Sequence, residues 1–283
     1  MLSSSGTAAW RLCPSPTVRR RLDALLVSRG FFPTRAQARA AILSGEVRCA
    51  GVCLTKPGEL VAEDAALEVS ERRRYVSRGG DKLAHVLDVL HVSVAGEHCV
   101  DLGSSTGGFV DCLLQGGARA VAAVDVGYGQ LDWRLRNDPR VTVLERTNAR
   151  WLRGEHLPFA PTFVTADVSF ISVTLVLAPV LECAAAGYRG LALVKPQFEA
   201  GRENVGKGGV VRDPAVQREA VLGVAQWLEE HGAALLGVCD SGFPGPKGNV
   251  EYFIYFCDAR SPQASARIDR EEAVRRAVEA VHG

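Results

Sequence analysis

The sequence predicts an α/β protein in two parts: a Rossmann-like sheet with helices on both faces, preceded by a small α+β module. Three observations carry that expectation. From Asp81 onward, short apolar runs alternate with helical stretches, the pattern of a mostly parallel sheet covered on both sides. A glycine-rich turn, Asp101 to Phe109, follows the first of those runs, and positive charge is gathered ahead of them.

A chain of 283 residues has room for one large domain and one small one. Its 47% hydrophobic and 23% charged composition is that of a soluble globular protein. Lys and Arg total 33 against 32 acids, so the net charge of +1 says nothing about partners, whereas its distribution does. Between Arg19 and Lys56 stand Arg19, Arg20, Arg21, Arg29, Arg35, Arg39, Arg48 and Lys56, against only Asp23 and Glu46. Such asymmetry points to a polyanion-binding module on a near-neutral body, with a solvated basic face as the alternative. The 8 cysteines are scattered, and Cys49 and Cys53 lack the second pair a zinc site needs. Most read as small buried thiols in a reducing compartment, and no metal is expected. No apolar run reaches the roughly 20 residues that span a bilayer, and residues 1–17 lack a signal-peptide pattern. A cytoplasmic protein without a membrane partner is expected.

The elements follow in order. Leu22, Leu25 and Leu26 recur at helical spacing before Gly30. Thr34 with Gln37 forms a capping box for a second helix that Gly45 ends. Arg35 and Arg39, four apart, share a face of it. Strand-like runs at 47–49, 52–55 and 66–69 complete the module. A helix is expected over 82–90. Strands are expected at 99–102, 120–126, 141–144, 163–166, 191–194, 235–239 and 252–257, with helices at 108–114, 173–186 and 215–231. The chain therefore divides into an extension or upstream start (1–18), the basic module (19–71), a linker (72–78), the main domain (79–260) and a tail (261–283) with helical spacing from Asp269 to Val281.

The turn Asp101-Leu102-Gly103-Ser104-Ser105-Thr106-Gly107-Gly108-Phe109 lies where the first strand hands over to a helix. Gly103 allows close approach of backbone to a ligand, and Gly107 and Gly108 allow the tight turn. Ser105 breaks the dinucleotide GxGxxG pattern, and the Gly-Lys-Ser/Thr of a phosphate loop is missing. A carboxylate at Asp101 would repel a pyrophosphate but suits a cationic sulfonium bearing an amino group. Asp125 closes the next strand, where an acid can contact ribose hydroxyls; its alternative is a turn with Gly127. Asn148 is a candidate for the adenine edge, with an ordinary turn asparagine as the alternative. Ser104 and Phe109 complete the expected cofactor set.

Four charges stand where burial would demand a reason. Lys82 opens a helix, Asp167 and Lys195 end apolar strands, and Glu251 begins the last strand. In a parallel sheet Asp167 and Lys195 project at the C-terminal edge, beside the cofactor. Glu251 reaches the same rim if its strand runs antiparallel. Singly, each reads as a strand-end charge reaching solvent.

Arg78-Gly79-Gly80-Asp81-Lys82-Leu83, the Asp101–Phe109 turn, Asp167-Val168-Ser169-Phe170-Ile171-Ser172 and Val194-Lys195-Pro196-Gln197-Phe198-Glu199 together resemble the TlyA family, haemolysin-like proteins with an FtsJ-type methyltransferase domain. The basic module resembles the S4-type RNA-binding domain of that family. The resemblance spans Arg19 to about Cys257 and implies a class I methyltransferase sheet using S-adenosyl-L-methionine. It implies 2′-O-methylation of ribose in ribosomal RNA, with cytidine as the family's target and ribosomal RNA or a ribosomal subunit as partner. Lys82, Asp167, Lys195 and Glu251 match the family's Lys-Asp-Lys-Glu tetrad position by position. The chemistry agrees with that match, because a ribose hydroxyl must lose a proton as it attacks. Lys195 is the candidate base, lowered by Lys82 and by partial desolvation. Asp167 and Glu251 would orient the lysines and the hydroxyl. Arg19, Arg20, Arg21, Arg35, Arg39 and Arg48 are the expected RNA contacts. The basic, glycine-rich loop 201–213 either closes over RNA or is a plain connection.

Three other readings compete. A base amino-methyltransferase is suggested by Asp167-Val168-Ser169-Phe170, but the two prolines of its Asp-Pro-Pro-Tyr motif are absent. A non-catalytic RNA-binding or ribosome-assembly factor would not need the tetrad. A pore-forming haemolysin lacks a spanning segment.

Overall fold

The structure, a computed structural model, describes residues 18–43, 45–69 and 74–283. Residues 1–17 of the expected extension and Arg72 and Arg73 of the expected linker lie outside the described residues. The chain divides into two compact units between Arg73 and Arg74.

The smaller unit has strand β1 (Arg19–Arg21), helices α1 (Leu22–Ser28) and α2 (Arg35–Leu43), and strands β2 (Val47–Cys49), β3 (Val52–Cys53), β4 (Leu60–Ala62) and β5 (Leu67–Val69). Leu22, Leu25 and Leu26 from α1 meet Ala38 and Ile42 from α2 over Val47, and this cluster is the unit's core. The Gln37 amide donates to Thr34 Oγ1 at 3.3 Å, so the expected cap is in place at the start of α2. β2 pairs with β3 and β5, while β1 pairs antiparallel with β4. The β1–β4 pair is absent from the sequence expectation for a physical reason. All three residues of β1 are exposed arginines, so no apolar alternation marks the strand.

The larger unit runs α3 (Arg78–Val89), β6 (His98–Leu102), α4 (Gly108–Gln115), β7 (Ala120–Val124), α5 (Trp133–Arg136), β8 (Val141–Leu144), β9 (Phe163–Ala166), α6 (Thr174–Cys183), β10 (Arg189–Val194), α7 (Pro196–Glu199), α8 (Pro214–Glu230), β11 (Ala233–Asp240), β12 (Tyr252–Asp258) and α9 (Arg270–His282). Seven strands form one sheet in the order β11-β12-β10-β9-β6-β7-β8. All neighbours pair parallel except β12, which is antiparallel to both β10 and β11. The chain proceeds outward from β6 through β7 to β8, then returns to β9 on the other side of β6. The switch point therefore lies between β6 and β9, where open α/β sheets hold their ligands.

Two apolar layers cover the sheet. One gathers Val100, Ala122, Val164, Ala192 and Ile254 under α6, α8 and α9. The other gathers Cys99, Val121, Phe163, Leu191 and Phe253 under α3 and α4. Consecutive strand residues thus bury opposite faces, which is why these strands read as continuous apolar runs. Each fully buried Val, Leu or Phe contributes about 1.5–3 kcal/mol. Asp213 caps α8 by accepting from the Ala215 amide, and Pro214 supplies the first turn. Tyr75 is buried with Leu83 and Phe109, and the Val76 amide donates to Asp111 Oδ2 at 2.9 Å. Residues 74–77 are therefore packed into this unit. Helix α6 stops at Cys183, short of the expected Ala186, because the Ala185 amide turns away to the Pro161 carbonyl. The tail is docked, since Val274, Ala277 and Val278 of α9 are buried in the core.

Candidate active site

The site is built at the C-terminal rim of β6, β9 and β10 together with the start of β12. Pairing places Val194 opposite Tyr252, so Lys195 and Glu251 leave adjacent strand ends on the same edge. The antiparallel course of β12 is what brings Glu251 there. Asp167 follows β9, and its amide donates to the Leu102 carbonyl at 2.9 Å, which docks it beside the Gly103 turn. Lys82 arrives from the first turns of α3.

Two ion pairs result. Lys82 Nζ lies 2.5 Å from Glu251 Oε2, and Lys195 Nζ lies 2.6 Å from Asp167 Oδ1. Lys195 Nζ also donates to Ser169 Oγ at 3.0 Å. Each lysine thus has its own carboxylate. Glu251 is 0% exposed, and Lys82 lies between its carboxylate and the rim. Its Oε1 has no hydrogen-bond partner and faces Gly245, where a Cβ would sit 2.3 Å away.

Asp101 lies within β6, 1% exposed, under the glycine turn. Its Oδ1 accepts from Thr165 Oγ1 at 2.7 Å, while Oδ2 is buried without a partner. Burial pushes its carboxyl up to about 7, and the nearby Asp167 and Asp125 carboxylates add to the rise. A cavity of about 120 Å³ opens here, lined by Ser77, Gly79, Asp101, Ser104, Phe109 and Asp167 among others. Phe109 closes it from below, stacked on Phe253 at 5.9 Å between ring centres.

Gly103 (φ +86°) and Gly107 (φ +96°) adopt the left-handed backbone that only glycine takes freely. The need at both positions comes from protein atoms. A Cβ on Gly103 would meet the Asp167 carbonyl oxygen at 2.3 Å, and one on Gly107 would meet Leu135 Cδ1 at 2.3 Å. Gly108 is pressed in the same way against Ser77 Oγ. At Gly103 the crowding comes from the close approach of two backbone segments.

Both Asp125 oxygens are engaged, Oδ2 by the Ser105 amide at 2.7 Å and Oδ1 by the Gly127 amide at 2.6 Å. Its observed contacts tie the glycine turn to the end of β7. Asn148 Oδ1 accepts from the Arg150 amide at 3.1 Å, the contact of a turn asparagine. Loop 201–213 is clamped, because Asn249 Oδ1 accepts from Val211 and Asn249 Nδ2 donates to the Gly209 carbonyl. Sequence reasoning missed Ser77, Gly79, Thr165 and Ser169. Three of them sit inside or beside the quoted motifs, whereas Thr165 gave no signal inside an apolar strand.

In the smaller unit all six singled-out arginines are exposed. Arg21 and Arg35 converge on the fully buried Asp23, at 3.1 and 2.8 Å. The Arg21 hydrogen bond, with help from Arg35, draws the Asp23 carboxyl down to about 2. Arg20 pairs with Glu63 at 3.2 Å. Arg19 and Arg39 make no ion pair among the described residues, and Arg48, on β2, bonds the Gly51 carbonyl at 3.2 Å.

Residues 75–257 match the FtsJ-like methyltransferase family, and residues 20–67 match the S4 domain. The 16S/23S rRNA (cytidine-2′-O)-methyltransferase TlyA of Mycobacterium tuberculosis is 47% identical over 92% of this chain and 97% of its own. The chain belongs to the TlyA family. Hemolysin A of Brachyspira hyodysenteriae is 37% identical over 83% of this chain and 99% of its own. A solved hemolysin-named structure from Streptococcus thermophilus superposes with a TM-score of 0.72 at 37% identity, covering 94% of this chain and 96% of that one. No helix among the described residues is long and apolar enough to cross a membrane.

Proposed function

We propose that this TlyA-family protein transfers a methyl group from S-adenosylmethionine to the 2′-oxygen of a cytidine in ribosomal RNA. The observation that carries the reading is the pair of lysine–carboxylate contacts at one strand edge, beside a glycine turn with a buried, half-satisfied carboxylate. Asp101 Oδ2 is an acceptor awaiting a donor, and the amino group of an amino-acid-bearing sulfonium supplies one. Ser104, Phe109 and the Gly107–Gly108 turn would hold the same group, which supplies an electrophilic methyl when bound. TlyA relatives named for rRNA cytidine 2′-O-methylation support the acceptor.

The chain's own residues position and deprotonate the hydroxyl. Lys195 Nζ takes the proton, and Asp167 Oδ1 at 2.6 Å balances the charge that arrives. Lys82, held from beneath by Glu251, offers a second ammonium to orient the attacking oxygen. Much of the rate comes from holding oxygen and methyl in line. The loops at the same sheet edge carry exposed aromatics, namely Tyr128, Trp151 and Phe170. The Arg146 guanidinium lies 4.4 Å over the Tyr128 ring. Stacking faces interleaved with arginines suit unpaired RNA bases. Arg19, Arg39 and Arg48 of the S4 unit, with Arg20, Arg21 and Arg35 set by their acids, supply phosphate contacts.

Mass-spectrometric mapping of ribosomal RNA after incubation with cofactor tests the reading. A methyl gain on a cytidine ribose is expected; a gain on the base, or none, overturns it. Lys195→Ala is expected to abolish transfer while cofactor affinity stays within about twofold. Joint loss of both would remove Lys195 from the role of base.

A further inference from the structure

The segment after β9 is fastened to the segment after β10 at three successive places. Ser169 Oγ meets Lys195 Nζ at 3.0 Å, the Phe170 ring rests on the Phe198 ring at 5.2 Å, and the Val173 amide donates to Glu199 Oε1 at 2.8 Å. At the second contact Phe170 stands at φ +70°, a left-handed conformation rare for an aromatic residue, and the residue is 87% exposed. The surrounding contacts must hold such a turn in place. The chain bends there, directly after Ser169, whose hydroxyl meets Lys195.

We propose that Ser169 is a positioning residue that aims the Lys195 amine at the acceptor hydroxyl. The proposal rests on Lys195 being the base. A neutral lysine amine has two N–H donors and one lone pair. Asp167 Oδ1 and Ser169 Oγ are two acceptors within hydrogen-bond distance of the same nitrogen, at 2.6 and 3.0 Å. With both N–H groups engaged, rotation about the Cε–Nζ bond is arrested and the lone pair takes the one direction left. With Asp167 alone, the amine could turn about a single hydrogen bond and point its lone pair away. In the productive step the 2′ O–H bond breaks and an Nζ–H bond forms. The resulting ammonium then has three donors, two of them already accepted. A fixed lone pair shortens the search for the reactive geometry, and misplacement at this scale costs rate rather than affinity.

The test uses the full-length protein with ribosomal RNA substrate under single-turnover conditions. Ser169→Ala is expected to lower the transfer rate constant roughly 10- to 100-fold. Cofactor and RNA dissociation constants should stay within about twofold, and the thermal midpoint should be unchanged, as befits an exposed side chain. Ser169→Thr keeps a hydroxyl on the same carbon and should return most of the rate. A wild-type rate in Ser169→Ala overturns the proposal. So does a rate loss that tracks weakened RNA or cofactor binding, and so does failure of Thr to rescue. Lys195→Ala, run alongside, separates the two readings. If it retains transfer, the base assignment and this proposal fall together; if it is inactive while Ser169→Ala is wild type, only this proposal falls.

Discussion

Replacing Asp101 with asparagine should stabilise the free protein at pH 8 while weakening its cofactor site. The carboxyl is buried, with one oxygen accepting from Thr165 and the other unpartnered. Its pKa rises from 3.8 to about 7 in the folded chain. Between those values the folded state binds a proton that the unfolded state has released, so stability falls as pH climbs through that window. At about 1.4 kcal/mol per unit the full penalty at pH 8 is on the order of 4 kcal/mol. Asparagine removes the charge but places an unsatisfied amide donor where Oδ2 was, at a cost of about 1–3 kcal/mol. The net expectation is a gain of about 1–3 kcal/mol at pH 8 and a loss of similar size at pH 4, where the wild-type carboxyl is mostly protonated. Urea denaturation at both pH values measures the first effect, and calorimetric titration with S-adenosylmethionine measures the second. Wild-type cofactor affinity should rise toward pH 7 as Asp101 ionises, and the variant should bind more weakly with a flatter pH response. Equal destabilisation of the variant at pH 4 and pH 8 would refute the assignment of a strained, ligand-awaiting carboxylate.

Three further outcomes rest on named side chains. Lys82→Ala strands Glu251 as a buried, unpaired carboxylate; it should cost about 3–5 kcal/mol in denaturant unfolding, largely recovered by adding Glu251→Gln, and a loss below about 1 kcal/mol would argue that the pair is not desolvated. Phe170→Ala should leave the unfolding free energy within about 0.5 kcal/mol, because the ring is 87% exposed, yet weaken RNA binding by about 1–3 kcal/mol if it stacks on a base; unchanged RNA affinity would remove it from the interface. Arg39→Ala and Arg48→Ala should each reduce the slope of log K against log salt by about 0.7–0.9, as expected when the protein neutralises one phosphate fewer, and a slope unchanged in filter-binding titrations would return them to the solvated face.

The seven strands of the larger unit were legible in order because the central ones are buried on both faces and the edge strands β8 and β11 still pack apolar residues against the core, so each reads as an apolar run. The same was true of Asp101, Asp167, Lys195 and Glu251, whose charges interrupt or end those runs. Motif resemblance then supplied what periodicity does not encode: the expectation that two lysines and two acids act as one set, and the proposed acceptor. The strand β1 was illegible, since three exposed arginines show no alternation and its partner β4 lies 39 residues further on at Leu60↔Arg21. Likewise nothing local marks Thr165 as the partner of Asp101, because that hydrogen bond exists only between neighbouring strands. The glycine turn was visible as a turn, but the reason for Gly103 was not; the atom that forbids a side chain there belongs to Asp167, far away in sequence.

The sequence by itself therefore determined the alternation, the rim position of the charged residues and the family, because period, burial and motif spacing are properties of one chain segment at a time. Only the tertiary structure decided which lysine meets which carboxylate, that Glu251 is fully buried, and that both oxygens of Asp125 are engaged by backbone amides. Those outcomes depend on strand order and register, which bring together atoms whose separation along the chain carries no signal.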